Sequence, residues 1–94
     1  MAGGGLEFDW DQANIRHLKR HRITPGEFEE ALVNEPLDLE YQTEENEERF
    51  KAVGETANGR ILVLVWAIRE GRIRAVTAYT ASRPMRRLYR EYLG

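Results

Sequence analysis

Apolar positions along this chain switch period, helical at first, alternating in the middle and helical again at the end. At 100° per residue, Trp10, Ala13, His17, Leu18 and His21 fall on one side of a first helix, with Arg16, Lys19 and Arg20 mainly on the other. Asp9, with Gln12 three residues later, reads as its N-cap. A second helix starts at Thr24, with Pro25 in its first turn and Glu27 closing a capping box. It turns Phe28, Ala31 and Leu32 inward and stops by Glu35, because Pro36 disfavours helical backbone before it.

Alternation then takes over. Leu37, Leu39 and Tyr41 interleave with Asp38, Glu40 and Gln42, as in a half-exposed edge strand. Residues 44–48 read as an acidic loop, and Arg49 to Thr56 as a second strand ending at a two-residue Asn58-Gly59 hairpin turn. Ile61 to Ile68 is apolar on both faces, which marks a central strand. Glu70-Gly71 turns into a fourth strand, Arg72 to Thr80. Simple alternation gives it one face of Ile73, Ala75, Thr77 and Tyr79 and another of Arg74, Val76, Ala78 and Thr80. Ser82 caps a last helix with the inward stripe Met85, Leu88, Tyr89 and Tyr92, leaving Arg86, Arg87 and Arg90 outside. A short extra strand is expected at Leu6–Phe8. The fold class is α+β: an antiparallel four-stranded meander sheet with two N-terminal helices and one C-terminal helix. Residues 1–5 read as a flexible tail and 6–94 as one domain.

Composition narrows the function. Ninety-four residues with 41% apolar content suit a single core. The longest apolar run, eight residues, falls far short of the roughly 20 that a membrane helix needs, so no membrane association is expected. The start MAGGGLEF lacks the pattern of a secretory signal, and cytoplasmic location is the expectation. Without cysteine, disulfide scaffolds and thiolate metal sites are excluded. Net charge is only −2, but seven acids and no base lie between Glu35 and Glu48, whereas arginine dominates from Arg69 onward. Such segregation permits a basic and an acidic face. Trp66, in the most apolar strand, reads as core.

An ordered series of short pieces carries a family resemblance. Phe8-Asp9-Trp10-Asp11 opens it, and Arg20-His21 follows eleven residues after the tryptophan. Glu35-Pro36, Glu48-Arg49-Phe50 with Gly54, Gly59-Arg60-Ile61-Leu62, Arg72-Ile73-Arg74 and a last helix with Tyr89 continue it. Together they resemble the BrnT-type toxins, small ribonucleases of RelE-like fold from type II toxin–antitoxin pairs. The resemblance implies RNA as substrate and, as partner, a small ribbon-helix-helix antitoxin through which the pair would assemble further. Where those toxins usually read Ser-Ala-Arg-Arg-Ala, this chain reads Thr77-Ala78-Tyr79-Thr80-Ala81.

Metal-independent RNA cleavage needs a base for the 2′-OH, cations for the charged phosphorane and an acid for the leaving oxygen. His21 or His17 would serve as base or acid, since histidine titrates near neutral pH. Arg49 and Arg74 would hold the phosphate, and Tyr79 would donate a proton weakly. Arg16, Lys19, Arg20 and Arg86 would contact RNA. Each has a plainer reading: structural histidines, and arginines pairing with carboxylates across the strands. The spacing of His17 and His21 also suits zinc, but no third ligand stands out, so neither metal nor cofactor is expected. Two functions remain open: a ribonuclease toxin, or a non-catalytic protein- or RNA-binding module on the same fold that has lost the catalytic arginines.

Overall fold

The computed structural model describes residues 7–94. The tail 1–5, and Leu6 of the expected extra strand, lie outside the described residues. The element order is α1 (Gln12–Arg20), α2 (Pro25–Val33), β1 (Leu37–Glu44), β2 (Glu47–Glu55), β3 (Ile61–Arg69), β4 (Arg72–Thr80) and α3 (Arg83–Leu93). All strand pairs are antiparallel in the order β1-β2-β3-β4, the meander that the polarity pattern predicts. Among the described residues of the extra strand, Phe8 forms a bridge, pairing in parallel with Ile73 beside β4.

Local chemistry explains where the elements begin. The N-cap of α1 is Asp11, not Asp9: its carboxylate accepts the Asn14 N–H at 2.8 Å. Asp9 is occupied elsewhere, because its own N–H donates to the Ile73 carbonyl. The inward side of α1 differs accordingly. Leu18 is buried and Asn14, Ile15 and His17 half-buried, while Ala13 and His21 are exposed and Trp10 precedes the helix. The Thr24 capping box forms as expected, and Glu27 also binds Arg60 at 2.9 Å, tying the start of α2 to the residue before β3.

The hairpins are tighter than composition suggests. Strand pairing extends through the acidic segment to Glu44 and Glu47, so only Glu45 and Asn46 form the turn, both at positive φ. Glu70-Gly71 makes a second two-residue turn of the same kind, which matches the twist of the flanking strands. The Asn58-Gly59 connection is longer than expected. Thr56 pairs with Arg60, and three residues lie between them, with Gly59 at φ +88°.

Two bulges then break the alternation. In β1 the register shifts between Asp38 and Glu40, so Tyr41 sits opposite Phe50 rather than sharing a face with Leu37 and Leu39. In β4 it shifts at Val76: Val65 opposes Thr77, whereas Trp66 opposes Ala75. Ala75 and Ala78 therefore share one face, and Arg74, Thr77 and Tyr79 share the other. This corrects the two faces that simple alternation assigns, since the extra residue inverts every side chain beyond it.

Each sheet face carries its own core. On one, α1 and α2 cover Ala52, Leu62, Leu64, Trp66, Ile73, Ala75 and Ala78 with Leu18, Phe28, Ala31 and Leu32. Trp66 stacks on Phe50 within this layer, core as expected. Full burial of a side chain such as Phe28 contributes roughly 1.5–3 kcal/mol. On the other face α3 covers one end only, with Tyr89 and Met85 over Val53, Ile61 and Val63. The stripe expected for α3 is narrower than periodicity suggests. Tyr89 is 1% exposed, but Leu88 and Tyr92 are 45% and 50% exposed.

Candidate functional site

The half of the sheet that α3 leaves open collects most of the polar chemistry. Residues opposite one another across a ladder share a face, so the pairing defines its rows. One row runs Gln42–Arg49–Ala67–Arg74. The next runs Glu40–Lys51–Val65–Thr77, and the third ends in Val63–Tyr79. Arg49 and Arg74 thus stand two strands apart, about 10 Å between backbones, over the small buried floor of Ala67. Without the bulge at Val76, Arg74 and Tyr79 would point to opposite faces.

Helix α1 reaches this surface at the β4 edge. The Asn14 amide donates to the Ala75 carbonyl at 2.9 Å, and His17 Nε2 lies 2.9 Å from Thr77 Oγ1. The two bonds straddle Val76, fixing the helix against the bulge. His21, at the C-cap of α1, packs its ring edge-on to His17 with centroids 5.6 Å apart. Only His17 bonds a residue of the open face.

Both strand arginines are paired with carboxylates. Arg74 donates to Asp11 at 2.7 Å and to Asp9 at 3.4 Å, with its side chain 28% exposed. Arg49 meets Glu47 at 3.1 Å and is more open, at 40%. The plainer reading of these residues as ion-paired strand positions is therefore part of the structure. It does not exhaust them, because a guanidinium has five donors and can keep a carboxylate while offering others to a phosphate. The bonded Asn14 N–H and, next to it, Arg74 hold the Asp11 carboxyl below its ordinary pKa, outweighing the opposing effect of burial.

The other expected contacts lie outside these rows. Arg16, Lys19 and Arg20 are exposed on α1, and Arg86 on α3 donates to the Ala81 carbonyl at 2.7 Å. Two members of the open face were not singled out from sequence. Lys51 was legible, standing two residues from Arg49 on the same strand. Thr77 was not, since only the bulge brings it beside Lys51 and Val65. A depression of about 540 Å³ at the hairpin ends also borders Arg49 and Arg69, but three glutamates, Glu45, Glu47 and Glu70, outnumber them there and disfavour a phosphate. The smaller groove beside Arg49 is lined by Glu40, Gln42, Arg49, Phe50, Lys51 and Val65, and its one carboxylate, Glu40, lies 3.9 Å from Lys51.

Residues 10–84 match a protein family described as the ribonuclease toxin, BrnT, of type II toxin–antitoxin systems. No curated protein sequence matches the chain.

Proposed function

This chain belongs to the BrnT family of type II toxin–antitoxin ribonuclease toxins, and we propose that it cleaves RNA without a metal ion on the open half of its sheet. The family implies an RNA substrate and an antitoxin partner. The observation that carries the location is the row Arg49–Ala67–Arg74, one row from the His17–Thr77 pair.

A phosphate over Ala67 would lie between two guanidinium groups, with Lys51 beside it. Those cations offset the charge that builds on the phosphorane, the largest contribution to be expected in such a site. His17 takes the proton from the 2′-OH, the 2′ oxygen attacks phosphorus, and the bond to the 5′ oxygen breaks. The products are a 2′,3′-cyclic phosphate and a 5′-OH, the latter taking its proton from Tyr79 or from protonated His21. His17 is preferred over His21 as base because its Nε2 already bonds the open face.

The partner is taken to be a small ribbon-helix-helix antitoxin covering this face. Tyr79, Leu88 and Tyr92 are exposed there or on the helix above it and offer apolar anchors.

Purified chain with RNA, beside His17→Ala, His21→Ala and Arg49→Ala, tests the reading. His17→Ala should lower the rate by about 10²–10⁴ and Arg49→Ala by about 10²–10³, with His21→Ala milder than His17→Ala. The carboxylate pairing of Arg49 and Arg74, with tyrosine at position 79, favours the second reading of a non-catalytic binding module. Intact RNA at high concentrations of folded wild type, with and without ribosomes, would sink the ribonuclease reading and favour that module instead.

A further inference from the structure

The arginines of α3 form a surface that the cleavage site does not use. Arg83, Arg86, Arg87 and Arg90 follow the spacing that lines one side of a helix, away from buried Tyr89. With Glu91 and Gly94 they line an open groove of about 510 Å³. Among the described residues no carboxylate lies within 4.0 Å of any of the four, as is also true of Arg16, Lys19, Arg20, Arg22 and Arg69, and what sets the four apart is their spacing along one side of one helix.

Local energetics works against this arrangement. Arg83 opens the helix and Arg86 and Arg87 follow within its first turns, where the helix dipole disfavours cations, and the first turn carries no acid. Like charges three and four residues apart repel one another as well. A ladder that opposes both local rules points to an anionic ligand that relieves it.

We propose that Arg83, Arg86, Arg87 and Arg90 form a second contact surface for the RNA backbone, separate from the cleavage site, which sets affinity rather than turnover. This rests on the reading of RNA as the substrate. An RNA backbone fits better than an acidic protein because the groove has no apolar anchor. The exposed apolar residues of the helix, Leu88, Tyr92 and Leu93, are not among those lining it, and a protein interface is built around such a core. Guanidinium groups hold phosphate oxygens in a bidentate fork.

The test uses the full chain and a labelled 2′-O-methyl RNA, which lacks the nucleophile and cannot be cut, with binding followed by anisotropy across potassium chloride concentrations. In the triple variant Arg83→Gln/Arg87→Gln/Arg90→Gln, the slope of log affinity against log salt should fall by about two, at roughly 0.7 per contact to a single strand. Affinity at low salt should fall tenfold or more. The triple lysine variant should keep most of the slope, which separates charge from folding. On cleavable RNA the glutamine variant should raise KM and leave kcat near wild type.

An unchanged slope and affinity, or no binding of this RNA by wild type, overturns the proposal. So does unchanged RNA affinity with lost binding of poly-glutamate, which would assign the ladder to an acidic protein. Binding through the ladder by a chain that cuts no RNA would sink the ribonuclease reading and leave this one standing.

Discussion

Asp11 holds two structures at once: its carboxylate caps α1 through the Asn14 N–H and anchors Arg74 from β4. Both partners favour its charged form, so its pKa in the folded chain lies below the unfolded value of about 3.9. A depressed carboxyl stabilises the fold fully above the unfolded pKa and loses that contribution as pH falls through the folded one. Asparagine can still cap a helix, so Asp11→Asn removes mainly the charge. The variant should have a lower urea midpoint than wild type at pH 7, and the gap should narrow by pH 3. A gap of constant size at both pH values would mean that ionisation is not what Asp11 contributes. Glu27 follows the same sign: burial opposes its charge, but the Thr24 N–H and Arg60 outweigh that and lower its pKa. At this scale the sequence was half legible. Arg49, Arg74, Tyr79 and His17 are visible as residue types with suitable chemistry. The carboxylate partners of Arg74 are not, because Asp9 and Asp11 meet it across more than sixty positions of chain.

Between elements, α2 comes close to β2 at Gly54. A Cβ built on Gly54 would lie far inside contact distance of the Ala31 carbonyl carbon and oxygen, both rigid backbone. Gly54→Ala must push α2 off the sheet, at a cost of about 1–3 kcal/mol or more, visible as a lower melting temperature. Element types and order were readable because period and caps agree: the Thr24 box, the apolar run of β3 and the Glu70-Gly71 turn each point one way. The β4 bulge was not, since an extra residue leaves no compositional mark when small residues flank it, as Ala75, Thr77 and Ala78 flank Val76. Deletion of Val76 makes that hidden feature testable. Restored alternation would turn either Arg74 or Tyr79 off the open face, so cleavage should drop far more than in Gly54→Ala at matched stability. Cleavage that survives the deletion would show that the two residues do not act together.

Over the whole molecule, charge is sorted by location. At the hairpin ends Glu45, Glu47 and Glu70 outnumber Arg49 and Arg69, whereas on α3 four arginines face Glu91 alone. A chain of net charge −2 can therefore still orient a polyanion, presenting the arginine side and turning the acidic end away. In the proposed reaction the charge balance would be met by side chains, with Arg49, Arg74 and Lys51 supplying positive charge to the phosphorane. A divalent cation bound there would have to displace or crowd those guanidinium groups, and Glu47, Asp9 and Asp11 are already engaged by them. Cleavage by wild type should thus be the same, within about twofold, in excess EDTA and in millimolar magnesium, once total ionic strength is matched so that screening of the arginines does not mimic a metal effect. Matching matters, because a divalent salt weakens RNA binding through the same contacts that carry the substrate. Activity that vanishes in EDTA and returns with one particular divalent ion would move the phosphorane charge from the arginines to a metal. Arg49→Ala would then be expected to change KM far more than kcat, the reverse of what the arginine row predicts.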